Sequence, residues 1–164
     1  MAIKPVVAVV GGGGDLSEEV ASAASALGRE LARLGAVIVC GGLEGVMEAA
    51  SRGAREAGGT VIGVLPGLDH ADGNPHLSVA IATGMGFGRN TIIAVTCDAM
   101  VAVDGSYGTL SEIAQALNHG RHVVALGTWD LPAAGRVDPA LFHVAPTAEA
   151  AARLAVDLAS RRER

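Results

Sequence analysis

Arg89 and Glu112 offer this chain a fixed cation and a carboxylate, and both stand beside glycine turns. The turn before Glu112 is Gly105-Ser106-Tyr107-Gly108-Thr109. An apolar run, Ala99-Met100-Val101-Ala102-Val103, leads into it, and Leu110, Ile113, Ala114 and Leu117 lead out with helical spacing. A strand, a glycine turn and a helix start together present unpaired backbone N–H groups to an anion. A phosphate held there would set Glu112, one helical turn further on, against the sugar it carries. Arg89 opens another predicted helix. A cation sits poorly at that end of a helix dipole unless an anion lies nearby, and a bound phosphate would supply one.

Each feature has an ordinary reading too. Gly105 and Gly108 can serve tight strand–helix packing alone. Thr109-Leu110-Ser111-Glu112 matches the S/T-x-x-E capping box, in which the acid bonds back to the cap N–H; on pattern alone that is the stronger reading of Glu112. Arg89 can be a solvated arginine at a helix start. Three further glycine turns, at 11–14, 41–45 and 84–88, favour the anion, because each also follows a strand. On that ground Gly12, Gly13, Gly41, Gly42 and Gly45 join Gly105, Ser106, Gly108 and Thr109 as candidate ligand contacts. Tyr107 lies within the turn, where it can close over a ligand.

The elements that must position these residues alternate regularly. Strands are predicted at 6–10, 37–40, 60–65, 77–82, 99–103 and 122–126, with a short extended piece near 141–144. Helices are predicted at 17–34, 45–57, 89–95, from the 105–108 turn to about 118, and at 147–158, with Thr147 as the last N-cap. The polar stretch 67–77 reads as a loop, and 161–164 as a frayed tail. Such alternation implies an α/β fold: a doubly wound, Rossmann-like, mostly parallel sheet of six or seven strands with helices on both faces. In such sheets ligands bind beyond the carboxyl ends of the strands, where strand order reverses, and the four glycine turns should meet on that edge.

Composition narrows the chemistry. The 164 residues fit one domain, 1–164, without linker or repeat. Aromatics are 2% and the formal net charge is −5, which argues against a nucleic-acid partner and an anionic membrane. No apolar run approaches the roughly 20 residues of a membrane span, and the first run, Pro5 to Val10, ends in four glycines rather than a cleavage pattern, so the protein is expected in the cytoplasm. Cys40 and Cys97 lack metal spacing and are expected as buried, reduced thiols. Lys4 is the only lysine, far from every glycine turn, which argues against a pyridoxal phosphate Schiff base and a Walker loop. A nicotinamide site fits poorly: Gly12-x-Gly14-x-x-Ser17 lacks the third glycine, and Cys40-Gly41-Gly42 stands where a ribose-binding acid belongs. His70, Asp72 and His76 read as solvated loop residues, and no metal or cofactor is expected. His119 and His122 flank a helix end, and Trp129 lies just beyond the sixth strand, where it could pack at a subunit interface.

Gly105 to Glu112 resembles the P-G-G-x-G-T-x-x-E signature of the LOG (Lonely Guy) family, whose members are often mislabelled lysine decarboxylases. Thr83-Gly84-Met85-Gly86-Phe87-Gly88-Arg89-Asn90 resembles that family's second motif, built on an R-K pair. The resemblance covers about residues 5–127. It implies a Rossmann-like homodimer or homotetramer that binds a nucleoside 5′-monophosphate and hydrolyses its N-glycosidic bond to free base and ribose 5-phosphate. It makes Arg89 and Glu112 the catalytic pair and Gly105, Ser106, Gly108 and Thr109 the phosphate loop. The carboxylate would stabilise an oxocarbenium-like ribose while the arginine orients the substrate. Three positions depart from the signature: Asp104 replaces its proline, Ser106 its second glycine and Asn90 its lysine. The R-N pair and short chain are similar instead to a branch that includes molybdenum cofactor carriers, which hold a phosphate-bearing pterin without hydrolysing it. The expected ligand is therefore small and phosphorylated, an AMP-like nucleotide or a phosphopterin, bound with or without turnover.

Overall fold

The computed structural model describes residues 3–161 apart from 133, 134 and 136. Among these, seven strands alternate with five α-helices. The first half runs β1 (Val6–Gly11), α1 (Glu18–Arg33), β2 (Val37–Cys40), α2 (Val46–Glu56), β3 (Thr60–Leu65) and β4 (Val79–Ala82). The second runs α3 (Asn90–Thr96), β5 (Ala99–Val103), α4 (Tyr107–Asn118), β6 (His122–Leu126), β7 (Phe142–Val144) and α5 (Ala148–Ser160). The strands form one sheet in the order β4-β3-β2-β1-β5-β6-β7, and every pair is parallel. This is the doubly wound α/β architecture that the alternation implies.

Period-two alternation divides the core. Val7, Val9, Ile38 and Val101 point to the face covered by α1, α2 and α5. Ala8, Val10, Val39, Met100 and Ala102 point to the other face, against α3 and α4. Cys40 lies in the first layer and Cys97 in the second, both buried free thiols. On the first face α1 and α2 approach closely through two glycines. A Cβ on Gly28 would lie 2.0 Å from the Ala50 carbonyl oxygen, and one on Gly53 would lie 2.0 Å from that of Ser25.

Most expected boundaries hold within two residues. Ser17 caps α1, its Oγ accepting from Val20 N, and Thr147 caps α5 in the same way through Ala150 N. Three readings change. The fourth strand starts at Val79, not Leu77: the Ser78 hydroxyl takes the Val61 N–H, and Leu77 turns inward over Gly42 and Gly63. The loop 67–77 carries one short 3-10 turn, His70–Asp72, and a second such turn, Gly86–Arg89, precedes α3. The capping box is not used, because α4 begins at Tyr107 with Ser106 as N-cap, which places Thr109 and Glu112 inside the helix. Of the expected tail, Arg161 donates to Asp157 at 2.6 Å, and 162–164 lie outside the described residues.

Candidate functional site

Strand order reverses at β1. The chain leaves β1 through α1 to β2 on one side, and later returns through α3 to β5 on the other. Gly11 pairs with Val103, so β1 and β5 end level and their turns emerge side by side. The contact is close: a Cβ on Gly12 would lie 3.2 Å from Asp104 Oδ2. The third turn joins them where Val46 N donates to the Gly12 carbonyl at 2.9 Å. Gly45 permits this approach at φ 71°, since a Cβ there would meet the same oxygen at 2.3 Å.

Beyond this edge lies a pocket of about 200 Å³ whose wall includes Arg89, Asn90, Ser106, Gly108, Thr109 and Glu112. The start of α4 opens onto it. The first N–H groups of a helix have no partner within it, and the Ser106 side chain caps none of them. Gly108 presents bare backbone, with nothing within 4 Å of where its Cβ would stand. The pocket therefore has uncapped donors at the positive end of a twelve-residue helix.

Arg89 closes the second wall. It ends the 3-10 turn and its side chain folds inward, leaving the residue 8% exposed. Its guanidinium crosses Gly41, where a Cβ would lie 2.5 Å from Nη2 and 3.0 Å from Cζ. Only a residue without a side chain leaves that passage open. Nη1 donates to Asn90 Oδ1 and stands 3.5 Å from Glu112 Oε1. Nε is buried without a hydrogen-bond partner among the described residues. Glu112 is 6% exposed. Burial outweighs the guanidinium's pull and pushes its carboxyl up to about 7, so it carries its proton part of the time at neutral pH. The pair offers one permanent cation and one carboxyl able to give or take a proton.

The expected residues thus divide. Gly13, Arg89, Asn90, Ser106, Gly108, Thr109 and Glu112 meet in the pocket wall. Gly12, Gly41, Gly42, Gly45 and Gly105 stand behind it and shape it. Gly42, at φ 74°, packs against Leu65 and Gly63, while Gly105, at φ 114°, lies under the Thr109 side chain. Tyr107 is 82% exposed at the rim. Asp104 takes the left-handed conformation at φ 51°, and its carboxylate faces the first glycine turn. The edge is therefore not purely positive.

Some neighbours were not legible in the sequence. Leu43, Met47 and Phe87 also line the pocket. Trp129 stacks on Tyr107 with ring centroids 6.1 Å apart, and its Nε1 donates to the Ser106 carbonyl at 3.2 Å. Trp129 thus packs on the turn that opens α4. The signal was available only through topology: parallel β5 and β6 carry their following turns to the same edge. His143 pairs with His122 at 3.1 Å, at the start of β6 and away from the pocket. Among the described residues no group of three His, Cys, Asp or Glu side chains could hold a metal ion. No helix there is long and apolar enough to cross a membrane.

The sequence profile of the SLOG cluster4 family matches residues 4–154, and the chain belongs to that family. An uncharacterized protein of Archaeoglobus fulgidus is 44% identical over 115 residues, 70% of this chain and 76% of that one. The molybdenum cofactor binding protein of the phototrophic bacterium Rippkaea orientalis superposes with a TM-score of 0.87 at 33% identity, covering 94% of this chain and 96% of its own. The molybdenum cofactor carrier protein of Chlamydomonas reinhardtii superposes with a TM-score of 0.89 at 36% identity, covering 97% and 100%.

Proposed function

We propose that this member of the SLOG cluster4 family is a carrier of a small phosphorylated ligand of the molybdenum cofactor type. The observation that carries the reading is Arg89, a buried guanidinium with a spare Nε–H beside the uncapped start of α4. A buried cation with an unused donor is costly unless an anion completes it. A phosphate in the pocket would take the first N–H groups of α4 and the guanidinium together. Two structures of similar size, each covered almost entirely, belong to proteins that bind or carry that cofactor. Asn90, where the hydrolytic signature has lysine, accepts a hydrogen bond from Arg89 through its amide oxygen and fixes the arginine rather than adding charge.

One observation favours turnover as a second reading. Glu112 is buried, faces Arg89 and is held near neutrality, as an acid–base catalyst of N-glycoside hydrolysis would be. A single purification tests both. Protein isolated natively should carry a molybdenum-bearing or phosphorylated pterin, detected by mass spectrometry and by fluorescence after oxidation. Arg89→Ala should lower the retained ligand at least tenfold. Protein that retains no such molecule, and binds neither inorganic phosphate nor a phosphorylated pterin in calorimetry, refutes the carrier. Release of free base from a panel of nucleoside monophosphates, abolished by Glu112→Ala, would establish the hydrolase instead.

We also propose that copies of the chain associate. Leu68 is 90% exposed and Phe87 is 85% exposed, and both follow strands that end on the ligand edge. Association through this edge would take both side chains out of water.

A further inference from the structure

The phosphate pocket has a larger neighbour. A chamber of about 520 Å³ shares Gly13, Leu43 and Met47 with it. Such a volume lies within the range of small-molecule sites, about 300–1,000 Å³. Its chemistry is the opposite of the smaller pocket's. Glu44, Glu48 and Asp72 line it, and among the described residues no lysine, arginine or histidine does. None of these three carboxylates has a hydrogen bond or ion pair among the described residues. The wall that carries Asp72 is held in place by Asn74. Asn74 N donates to the Gly42 carbonyl at 2.9 Å and its Nδ2 to the Leu43 carbonyl at 3.1 Å, while its Oδ1 accepts from His76 N at 3.1 Å. The chamber is therefore built, not improvised by a loose loop.

The two chambers impose a direction on any ligand spanning them. A phosphate is repelled from the three carboxylates and drawn to Arg89, whose buried Nε lacks a partner in the smaller chamber. The other end of the ligand must bring hydrogen-bond donors. A carboxylate accepts through two oxygens and matches two adjacent N–H groups best. An aminopyrimidinone ring, the edge common to guanine and pterins, presents a ring N–H beside an exocyclic amino group. Adenine presents an acceptor beside its amino group and would set a lone pair against the carboxylate.

Taking the phosphate site as proposed above, we infer that the larger chamber seats an aminopyrimidinone ring whose donor edge is read by Glu44, Glu48 and Asp72. These carboxylates set the specificity of the site, while Arg89 and α4 set its affinity for phosphate.

Calorimetry with four probes tests this: inorganic phosphate, GMP, IMP (which lacks the 2-amino group) and neopterin monophosphate. GMP and neopterin monophosphate should each bind about tenfold or more tightly than IMP, in line with the discrimination of a good bidentate pair. The combined variant Glu44→Gln, Glu48→Gln, Asp72→Asn should erase that preference and keep its affinity for inorganic phosphate, which also shows that it is folded. Neopterin monophosphate above GMP identifies a pterin ligand, and the reverse a nucleotide; either result supports the shared edge. Equal binding of GMP, neopterin monophosphate and IMP to the native chain, or a preference that survives in the variant, overturns the inference and leaves the phosphate site standing. Failure of every probe, inorganic phosphate included, overturns both.

Discussion

Glu112 shows how a motif can be present and unused. Thr109 and Glu112 have the spacing of a capping box, yet α4 is capped three residues earlier, at Ser106, and its register turns Glu112 inward to Arg89. The consequence is a carboxyl that the folded chain protonates more readily than the unfolded chain does, about 7 against 4.5. Between those values the native state holds the extra proton, so this group's contribution to stability falls as pH rises from about 4.5 to 7 and is level above. Glu112→Gln should remove that slope. Thermal melts of the two proteins across pH 5 to 8 should converge at the acid end and separate toward pH 8, with the variant the more stable there. Parallel curves would contradict the assignment. Asp104 makes the opposite point. Its carboxylate faces the first glycine turn, close to where an anion is proposed to lie. Asp104→Asn should tighten binding of inorganic phosphate severalfold at low salt, since a like charge at close range costs about 1 kcal/mol in water, and the gain should shrink as salt is added. Neither orientation was legible in the sequence. The spacing named the residues, but helix register and a left-handed φ at Asp104 decided what they face.

At the scale of elements the sequence was far more legible, because apolar periodicity and glycine punctuation coincide. Val37–Cys40, Thr60–Leu65, Ala99–Val103 and His122–Leu126 are strands with the boundaries expected. The 3-10 turn Gly86–Arg89 was not legible, because its three-residue repeat is too short to leave a period. Nor was the role of Gly28 and Gly53. Each lets the other helix's carbonyl come within 2.0 Å of its Cβ position. Gly28→Ala and Gly53→Ala should therefore each destabilise the fold by about 1–3 kcal/mol, although alanine favours helices. For a domain of this size that is a loss of about 2–4 °C in Tm per kcal/mol. Gly120→Ala makes a poor control, since that glycine has a positive φ of 66° and nothing near its Cβ position. Gly108→Ala, in open space within α4, should leave Tm nearly unchanged while weakening phosphate binding.

The whole molecule is a device for bringing distant turns to one edge. An all-parallel sheet sends every strand's carboxyl end the same way, so turns ninety residues apart in sequence, such as Gly12 and Asp104, touch in space. That convergence was legible from the alternation alone. The division of the edge into a cationic pocket and a carboxylate-lined chamber was not, because it depends on where the 67–77 segment folds back, fixed by Asn74 against β2's turn. Association belongs to this scale as well. Light scattering coupled to gel filtration should give a mass at a multiple of the 16.4 kDa chain, and Leu68→Glu with Phe87→Glu should reduce it to one. A native chain that elutes as a monomer at tens of micromolar would refute association.

The stacking of Trp129 on Tyr107 has a practical consequence. Trp129 is the only tryptophan in the chain, and its indole N–H is tied to the carbonyl of Ser106, the residue that opens α4. The protein's entire indole emission thus originates beside the residue that opens α4, at the proposed phosphate pocket. Occupancy of that pocket should change the intensity or wavelength of this intrinsic fluorescence, so the chain carries its own optical reporter and a ligand can be titrated without dye, tag or mutation.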